Sequence, residues 1–299
     1  MIEAAIVTAI RARLAAALAP PRESCRPLWI GRNAVGWLGR ERADRLAAFA
    51  GVFDVRADGI AFAPGQDDMT ARTAALDRVA RALAAEGMLT AWRGERYAVA
   101  PEFGAPPWFV LERAAARFFG VHTHAAHVNG LVRRDGDILM WLARRSPAKA
   151  IDPGMLDNLV GGGIAAGQSV AEAVVKEAWE EAGIAAPLAR LAQPAGTVDI
   201  WREQPDGLQR ETIYVHDLWL PADFTPAGQD GEVVDHRLVP LPEAARLIAN
   251  TEGPDVATVD SCLVVLDCLL RHGAIAPGTP DHAALEALRH PNCRSQPLR

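Results

Sequence analysis

Three glutamates lie close together in a stretch that begins with three glycines, GGGIAAGQSVAEAVVKEAWEEAGI at residues 161–184. Glu177, Glu180 and Glu181 are spaced i, i+3 and i+4, so on a helix all three side chains point to one side. Carboxylates this close repel one another, and Mg²⁺, which prefers a few carboxylates together with water and substrate phosphate, relieves that repulsion. The spacing therefore predicts a Mg²⁺ site or, as the simpler alternative, a solvated acidic face.

The glycines at 161–163 come directly before this helix. Without side chains, they let backbone carbonyls or amides approach a metal ion or a phosphate closely. Gly183 follows the last glutamate and fits the C-terminal cap of the helix. The stretch is thus predicted to be a glycine turn, then a helix with one acidic face, then a glycine stop.

The same stretch resembles the Nudix box, G-x5-E-x7-R-E-U-x-E-E-x-G-U, in which U is aliphatic. Gly162 takes the position of the first glycine, and the spacing is kept from there to Ile184. Two positions depart from the family pattern: Gln168 stands where the family has glutamate, and Lys176 where it has arginine. The family residues are expected to form an ion pair that braces the loop against the helix. We therefore expect Gln168 and Lys176 to form a weaker brace, in which the amide accepts a hydrogen bond from the ammonium.

The resemblance also implies a reaction, the attack of a metal-activated water on a diphosphate linkage. It implies that Mg²⁺, or Mn²⁺ in its place, is bound principally by Glu177 and Glu181. Glu180 and the backbone carbonyl of Gly161 are expected to support them. These three glutamates are thus both the predicted metal ligands and the predicted catalytic residues.

Members of the family often take a general base from a later loop. Glu232 in QDGEVVDH is the candidate here, because the preceding glycine permits a sharp turn that could aim the carboxylate inward. An exposed hairpin acid is an equal alternative for Glu232, and Asp230 is a weaker substitute. A diphosphate beside carboxylates also needs cations, and Arg144, Arg145 and Lys149 in LARRSPAK are predicted to contact the substrate, with an ordinary basic turn as the alternative.

Further segments resemble the thiamin-pyrophosphokinase-related Nudix subgroup, whose members carry an extra N-terminal domain. They are VHTHAAHVNGLV, LARRSPAKAIDPGMLDNLVGGGIAAGQS, LPADFTPAGQDGEV and VVLDCLLRHG. This resemblance implies hydrolysis of a diphosphate ester to a monophosphate, with damaged or oxidised forms of thiamin diphosphate as substrates. Composition and spacing by themselves indicate nothing about thiamin.

The fold expected from these patterns is an α+β N-terminal domain followed by a Nudix α/β/α sandwich with a mixed sheet. We place the domains at residues 1–105 and 106–275 and a C-terminal tail at 276–299, because the proline-rich run PEFGAPPW at 101–108 is typical of a linker. The first helix is predicted to pack on a core through apolar residues at i, i+4 spacing. These are Ile6, Ile10, Leu14 and Leu18.

The 299-residue chain has a net charge of −6 and no long basic run. This balance favours neither a nucleic acid nor an anionic membrane surface as a partner. No apolar run has the length of a membrane span, and Glu3 stands where a signal sequence has basic residues. We expect a cytoplasmic protein that binds a small-molecule diphosphate, with a homodimer as a possible assembly.

Metal chemistry of other kinds is not favoured. His122 and His124 share one face of a predicted strand and His127 faces the other way, so a zinc site is the minor alternative, and His127 is a candidate substrate contact. The four cysteines form no CxxC pair and have no zinc spacing. They are Cys25, Cys262, Cys268 and Cys293.

Three other functions are alternatives to diphosphate hydrolysis. Isopentenyl-diphosphate isomerase shares much of the pattern, but its chemistry needs a cysteine near the strand before the box, where MLDNLVGGG has none. A pyrophosphatase for ADP-ribose or a nucleotide sugar remains an open alternative. A catalytically silent Nudix module that binds a ligand or partner is the third, although a binding module has no need to keep a repulsive cluster of glutamates.

Overall fold

Glycines and prolines separate the helices and strands of this chain, whose computed structural model describes residues 2–19 and 25–291. The helices are α1 (Ala4–Ala17), α2 (Arg40–Arg45), α3 (Met69–Ala85), α4 (Ala116–Phe119), α5 (Val170–Ala182), α6 (Ala186–Ala189), α7 (Leu241–Ala249), α8 (Val259–Arg271) and α9 (Pro280–Leu288). The strands are β1 (Arg26–Ile30), β2 (Asn33–Leu38), β3 (Phe53–Arg56), β4 (Gly59–Phe62), β5 (Arg96–Val99), β6 (Phe109–Glu112), β7 (His122–Arg134), β8 (Asp137–Arg145), β9 (Leu156–Asn158), β10 (Val160–Gly163), β11 (Gln193–Gln204), β12 (Gly207–Trp219) and β13 (Val233–Pro240).

Strand β7 lies at the centre of a mixed sheet with the order β11-β12-β7-β8-β13. It pairs in parallel with β12 and antiparallel with β8, while β10 pairs with β7 and β9 with β8. Successive side chains of a strand point to opposite faces. Accordingly Ala126 and Val128 pack toward α5, and Ala125 and Leu131 pack toward α8. Helices thus cover both faces, which confirms the predicted α/β/α sandwich.

The N-terminal region has its own core. Its four-stranded sheet has the order β2-β1-β4-β3, and β5 and β6 form a separate antiparallel pair. Helix α3 packs on these strands through Leu76, Val79 and Leu83, which are almost fully buried. Phe53, at 2% exposure, contacts the ring of Phe119 and joins the sheet to α4. The predicted α+β character of this region is confirmed.

Helices α1 and α9, near the two ends of the described chain, both pack on the core of the second domain, although the predicted boundaries place them outside it. Helix α1 packs against α7 and α8 through Ile10 and Leu14, which are completely buried, so the predicted amphipathic helix is confirmed. Helix α9 packs on the same cluster through Leu285, which is also fully buried, so residues 280–288 are not a peripheral tail. The core therefore includes segments from outside residues 106–275. No helix in the described part of the chain is long and apolar enough to cross a membrane.

Candidate active site

Helix α5 carries the three glutamates, and its ends are fixed by local chemistry. The Ser169 side chain accepts from the backbone N–H of Glu172, whose carboxylate accepts from the Ser169 N–H in return, a capping box. Gly183 ends the helix with a φ of 64°, in the left-handed region that favours glycine. These caps set the start and the end of the helix, so the side chains of Glu177 and Glu181 lie beside β10.

Glycines of β10 leave the space that these carboxylates occupy. A Cβ added to Gly162 would lie 2.3 Å from the carboxyl carbon of Glu177, so only glycine fits there without moving that side chain. The Glu181 carboxylate accepts a hydrogen bond of 2.8 Å from the backbone N–H of Gly161. Consecutive glycines therefore hold the two predicted principal ligands side by side.

The burial and the raised pKa of the Glu181 carboxylate are those expected of a side chain that binds a cation. The side chain is buried, and no ion pair to it occurs among the described residues. Burial raises the pKa of Glu181 to about 8, and the negative charges of Asp157 and Glu177 act in the same direction. Burial also raises the pKa of Glu177. Because a buried carboxylate among other carboxylates is costly unless a cation is bound, this donor set suits a divalent ion.

Lys176 neutralises part of the cluster. Its Nζ donates to Glu177 at 2.8 Å and to Glu180 at 2.7 Å, and these contacts raise its pKa against the opposing effect of burial. The carboxylate of Glu180 is the most exposed of the three, at 35% for the side chain. The three glutamates do not bring one carboxylate oxygen each within metal-binding distance of the other two. In the described ranges, the group of three possible ligands that does so is Asp217, Cys268 and His272. Mg²⁺ needs one or two carboxylates with water and phosphate, so Glu177 and Glu181 suffice.

The predicted brace between Gln168 and Lys176 is wrong in this structure. Lys176 is taken by the two helix glutamates, while the amide oxygen of Gln168 accepts from the backbone N–H of Ala165 at 3.3 Å. The physical reason is charge: an ammonium gains more from two carboxylates on its own helix than from a neutral amide. Gln168 stabilises the loop internally instead.

A cavity of about 150 Å³ opens on the opposite side of the glycine strand from α5. Its floor is one face of β7, formed by the alternating residues Thr123, Ala125 and His127, and its edge reaches Gly161–Gly163. His127 Nδ1 hydrogen-bonds Asn158 Oδ1 at 2.8 Å, which fixes the ring against the glycines. The candidate substrate contact at His127 therefore lies in this cavity.

The three cations predicted to contact the substrate do not all lie at the cavity. Arg145 and Lys149 line the cavity, and Arg145 forms an ion pair of 2.8 Å with Asp157. Arg144 does not line it: its guanidinium binds Asp255 and the backbone oxygen of Gly154. Since neighbouring residues of a strand face opposite ways, the adjacent arginines of β8 could not both reach the site.

Glu232 does not line the cavity itself, but it lies between two of the cations that do. One carboxylate oxygen pairs with Lys149, and the other accepts from Arg93 Nη1 at 2.5 Å. Against the effect of burial, these contacts lower the pKa of Glu232 to about 2. With both oxygens engaged, the carboxylate is a weak proton acceptor, and its role as general base stays a prediction that requires these contacts to open. Within residues 2–19 and 25–291, Asp230 accepts a hydrogen bond only from the backbone N–H of Glu232.

Sequence reasoning missed the part of the N-terminal region that borders the cavity. Arg93, Tyr97 and Arg113 all line it, beside the glycine strand. Arg113 pairs with Glu95 at 2.7 Å and lies 6.0 Å from the centre of the Tyr97 ring. No local pattern marks these residues, because their proximity to the glycines arises only from the packing of β5 on the second domain.

The remaining metal candidates do not form a site. In the described ranges Asp217, Cys268 and His272 lie within metal-binding distance of one another, but Arg271 already donates to both oxygens of Asp217. Against the effect of burial, hydrogen bonds from His272 and Arg271 hold the pKa of Asp217 well below its usual range. The histidines of β7 form no such group within the described chain, and Cys293 lies outside it.

Comparison with known proteins decides the family. The NUDIX domain family matches residues 122–258, and a family described as a domain of unknown function, DUF4743, matches residues 9–123. An uncharacterized protein of Saccharomyces cerevisiae is 31% identical over 243 residues, covering 75% of this chain and 69% of that protein. Residues 122–258 are a Nudix domain.

Two plant proteins resemble this Nudix protein more strongly. Nudix hydrolase 24, chloroplastic, of Arabidopsis thaliana is 43% identical over 224 residues, and Nudix hydrolase 20, chloroplastic, is 40% identical over 223 residues. Each match covers 74% of this chain, which spans 60% and 59% of the length of the two plant proteins. The family assignment confirms that GGGIAAGQSVAEAVVKEAWEEAGI is a Nudix box.

Proposed function

We propose that this Nudix protein hydrolyses a diphosphate linkage to a monophosphate and depends on Mg²⁺. One observation carries the proposal: Glu177 and Glu181 lie against consecutive glycines of β10, and the other side of the same glycines borders a polar cavity. A solvated acidic face would not bury one of its carboxylates, yet Glu181 is only 6% exposed.

The residues of the chain have separate tasks in this proposal. Glu177 and Glu181 would hold the metal ion, with the carbonyl of Gly161 and the more exposed Glu180 in support. When bound, the ion supplies an activated water and neutralises phosphate charge. Lys149 and Arg145 lie in the cavity wall, where their positive charges favour the binding of a diphosphate.

For the substrate, we propose a derivative of thiamin diphosphate in damaged or oxidised form. The resemblance of several segments to the thiamin-pyrophosphokinase-related subgroup supports this choice. The cavity supports it independently through Glu211 and Asp260, which line it together. One oxygen of Asp260 is buried without a hydrogen-bond partner among the described residues. Such a wall suits a small ring with amino groups or positive charge better than a second nucleoside.

Release of monophosphate from a panel of diphosphates tests the proposal. The panel contains thiamin diphosphate and its oxidised derivatives, ADP-ribose and nucleotide sugars, each with Mg²⁺ and with a chelator. Mg²⁺-dependent turnover that is highest for a thiamin derivative supports both parts of the proposal. Preference for ADP-ribose or a nucleotide sugar keeps the reaction and overturns the substrate.

The same panel separates the rival functions. Absence of turnover on every compound favours a silent binding module. Isomerisation of isopentenyl diphosphate needs a cysteine at the site, whereas Cys262 and Cys268 are buried in α8 and neither lines the cavity. The isomerase reaction is therefore included only as a negative control.

A further inference from the structure

Tyr97 is a buried tyrosine whose hydroxyl has no partner. It lies in β5, is 6% exposed, and lines the cavity. Its hydroxyl forms no hydrogen bond with any residue of the ranges 2–19 and 25–291. The phenol oxygen is not among the buried polar atoms that lack a partner, so it is accessible from the cavity that Tyr97 lines. A tyrosine hydroxyl in such a place can donate a hydrogen bond to a molecule that binds there.

The position of this hydroxyl is set by the glycine strand. A Cβ added to Gly163 would lie 1.9 Å from the Tyr97 oxygen, so the hydroxyl rests directly on that glycine. Gly161 and Gly163 share one face of β10. Gly161, two residues away, donates its N–H to Glu181. The tyrosine hydroxyl and a proposed metal ligand thus contact the same short strand.

The backbone holds Tyr97 at this place. The N–H of Ala166, in the loop between β10 and α5, donates to the carbonyl of Arg96 at 2.7 Å. Arg96 is the neighbour of Tyr97 in β5, so the N-terminal region is tied to the loop that precedes the acidic helix. This contact keeps the ring in the wall of the cavity and limits its freedom to move away.

The surrounding charges keep the hydroxyl a donor. Burial raises the pKa of Tyr97 well above its ordinary value, and although Arg113 opposes this, the carboxylates Glu211, Glu95 and Glu177 act in the same direction as burial. The phenol is therefore protonated at neutral pH and can act as a hydrogen-bond donor. The guanidinium of Arg113 lies 6.0 Å from the centre of the ring and also lines the cavity, so it adds positive charge there.

We propose that Tyr97 is a substrate-binding residue supplied by the N-terminal region, and that its hydroxyl donates a hydrogen bond to an oxygen of the diphosphate group. This inference rests on the proposed function, since it assumes that the cavity receives a diphosphate. It gives the N-terminal region a task, which is to complete a site that the Nudix domain leaves open. Arg113 supports the same anion through its charge.

Binding of methylenediphosphonate, a diphosphate analogue that cannot be hydrolysed, tests the proposal without requiring turnover. Its affinity is measured by calorimetry with Mg²⁺ for the wild type, for Tyr97→Phe and for Tyr214→Phe. Tyr214 is the other of the two tyrosines and does not line the cavity, so its variant is the matched control. Loss of a hydrogen bond to a charged group should weaken binding by Tyr97→Phe by about tenfold to a hundredfold, with Tyr214→Phe unchanged.

A merely structural role for Tyr97 predicts a different result. In that case Tyr97→Phe should bind methylenediphosphonate with the affinity of the wild type. Its melting temperature should be unchanged under either hypothesis, because the hydroxyl has no partner in the described chain. Equal affinities of Tyr97→Phe and the wild type overturn the proposal, and so does a wild type that does not bind the diphosphonate. Failure of the wild type to turn over any diphosphate would reject the proposed function, while the binding comparison would still decide the role of Tyr97.

A second measurement uses the unaltered protein. Tyrosine-specific ¹³C labelling gives ring resonances for Tyr97 and Tyr214, which the two phenylalanine variants assign. Titration with methylenediphosphonate and Mg²⁺ should shift the Tyr97 resonance and leave that of Tyr214 in place. A titration that shifts neither resonance, or only that of Tyr214, contradicts the proposal.

Discussion

Replacement of Gly162 by alanine is expected to disable the proposed metal site while leaving the fold intact. The new Cβ would lie 2.3 Å from the carboxyl carbon of Glu177 and 2.6 Å from one of its oxygens. Ordinary contact between carbon atoms is about 3.5–4.0 Å, so the carboxylate must move by more than about 1 Å. Gly162 has no positive φ, so alanine fits the backbone itself.

The size of the effect follows from that displacement. A catalytic group misplaced by about 1 Å costs on the order of 10²-fold in rate, which corresponds to about 2.7 kcal/mol in the activation free energy. Stability should change by about 1 kcal/mol or less, because the group that yields is the free end of a side chain. We therefore expect kcat/KM to fall about 100-fold, with a melting temperature within about 4 °C of the wild type.

Calorimetric titration with Mg²⁺, a phosphate-release assay and thermal unfolding measure the three quantities. Gly51→Ala is the matched control, since a Cβ at Gly51 meets no atom within 4 Å. Wild-type Mg²⁺ affinity and turnover in Gly162→Ala would refute the reasoning that Gly162 makes room for a metal ligand. A large loss of stability would refute the claim that only the carboxylate moves.

Three further predictions concern the same helix and the charged cluster of Asp217. Glu177→Gln and Glu181→Gln should each abolish Mg²⁺-dependent phosphate release, because a neutral amide binds a hard cation poorly; full activity in either variant contradicts the metal assignment. Lys176→Met should lower the melting temperature without metal, because the repulsion between carboxylates is then unrelieved, and saturating Mg²⁺ should narrow the difference from the wild type. A difference that Mg²⁺ leaves unchanged would show that Lys176 and the metal do not neutralise the same charges. Since the pKa of Asp217 is held well below its usual range despite burial, its stabilising effect is present above an unfolded pKa of about 3.9 and is lost as the pH falls toward the lower folded value. Melting temperatures below pH 4 should therefore fall more steeply for the wild type than for Asp217→Asn, and parallel curves would show that Asp217 does not contribute.

Local interactions explain why the acidic helix could be predicted in detail. Its caps at Ser169 and Gly183 involve residues a few positions away, and the common side of Glu177 and Glu181 follows from helix geometry alone. The glycines before it were predicted to form a turn, whereas the structure places them in strand β10. Hydrophobic spacing likewise predicted the first helix, although not the domain on which it packs.

The sequence by itself determined the Nudix box, the α/β/α sandwich and the predicted ligands Glu177 and Glu181, because short-range spacing and hydrophobic periodicity encode them. Tertiary structure alone decided which cations face the cavity. It directs the side chain of Arg145 toward the cavity and that of Arg144 away from it, and it places Glu232 between two positive charges. It also brought Tyr97 against Gly163. Such contacts join residues far apart in the chain, and their energies depend on distance and burial, which no local pattern of residues records.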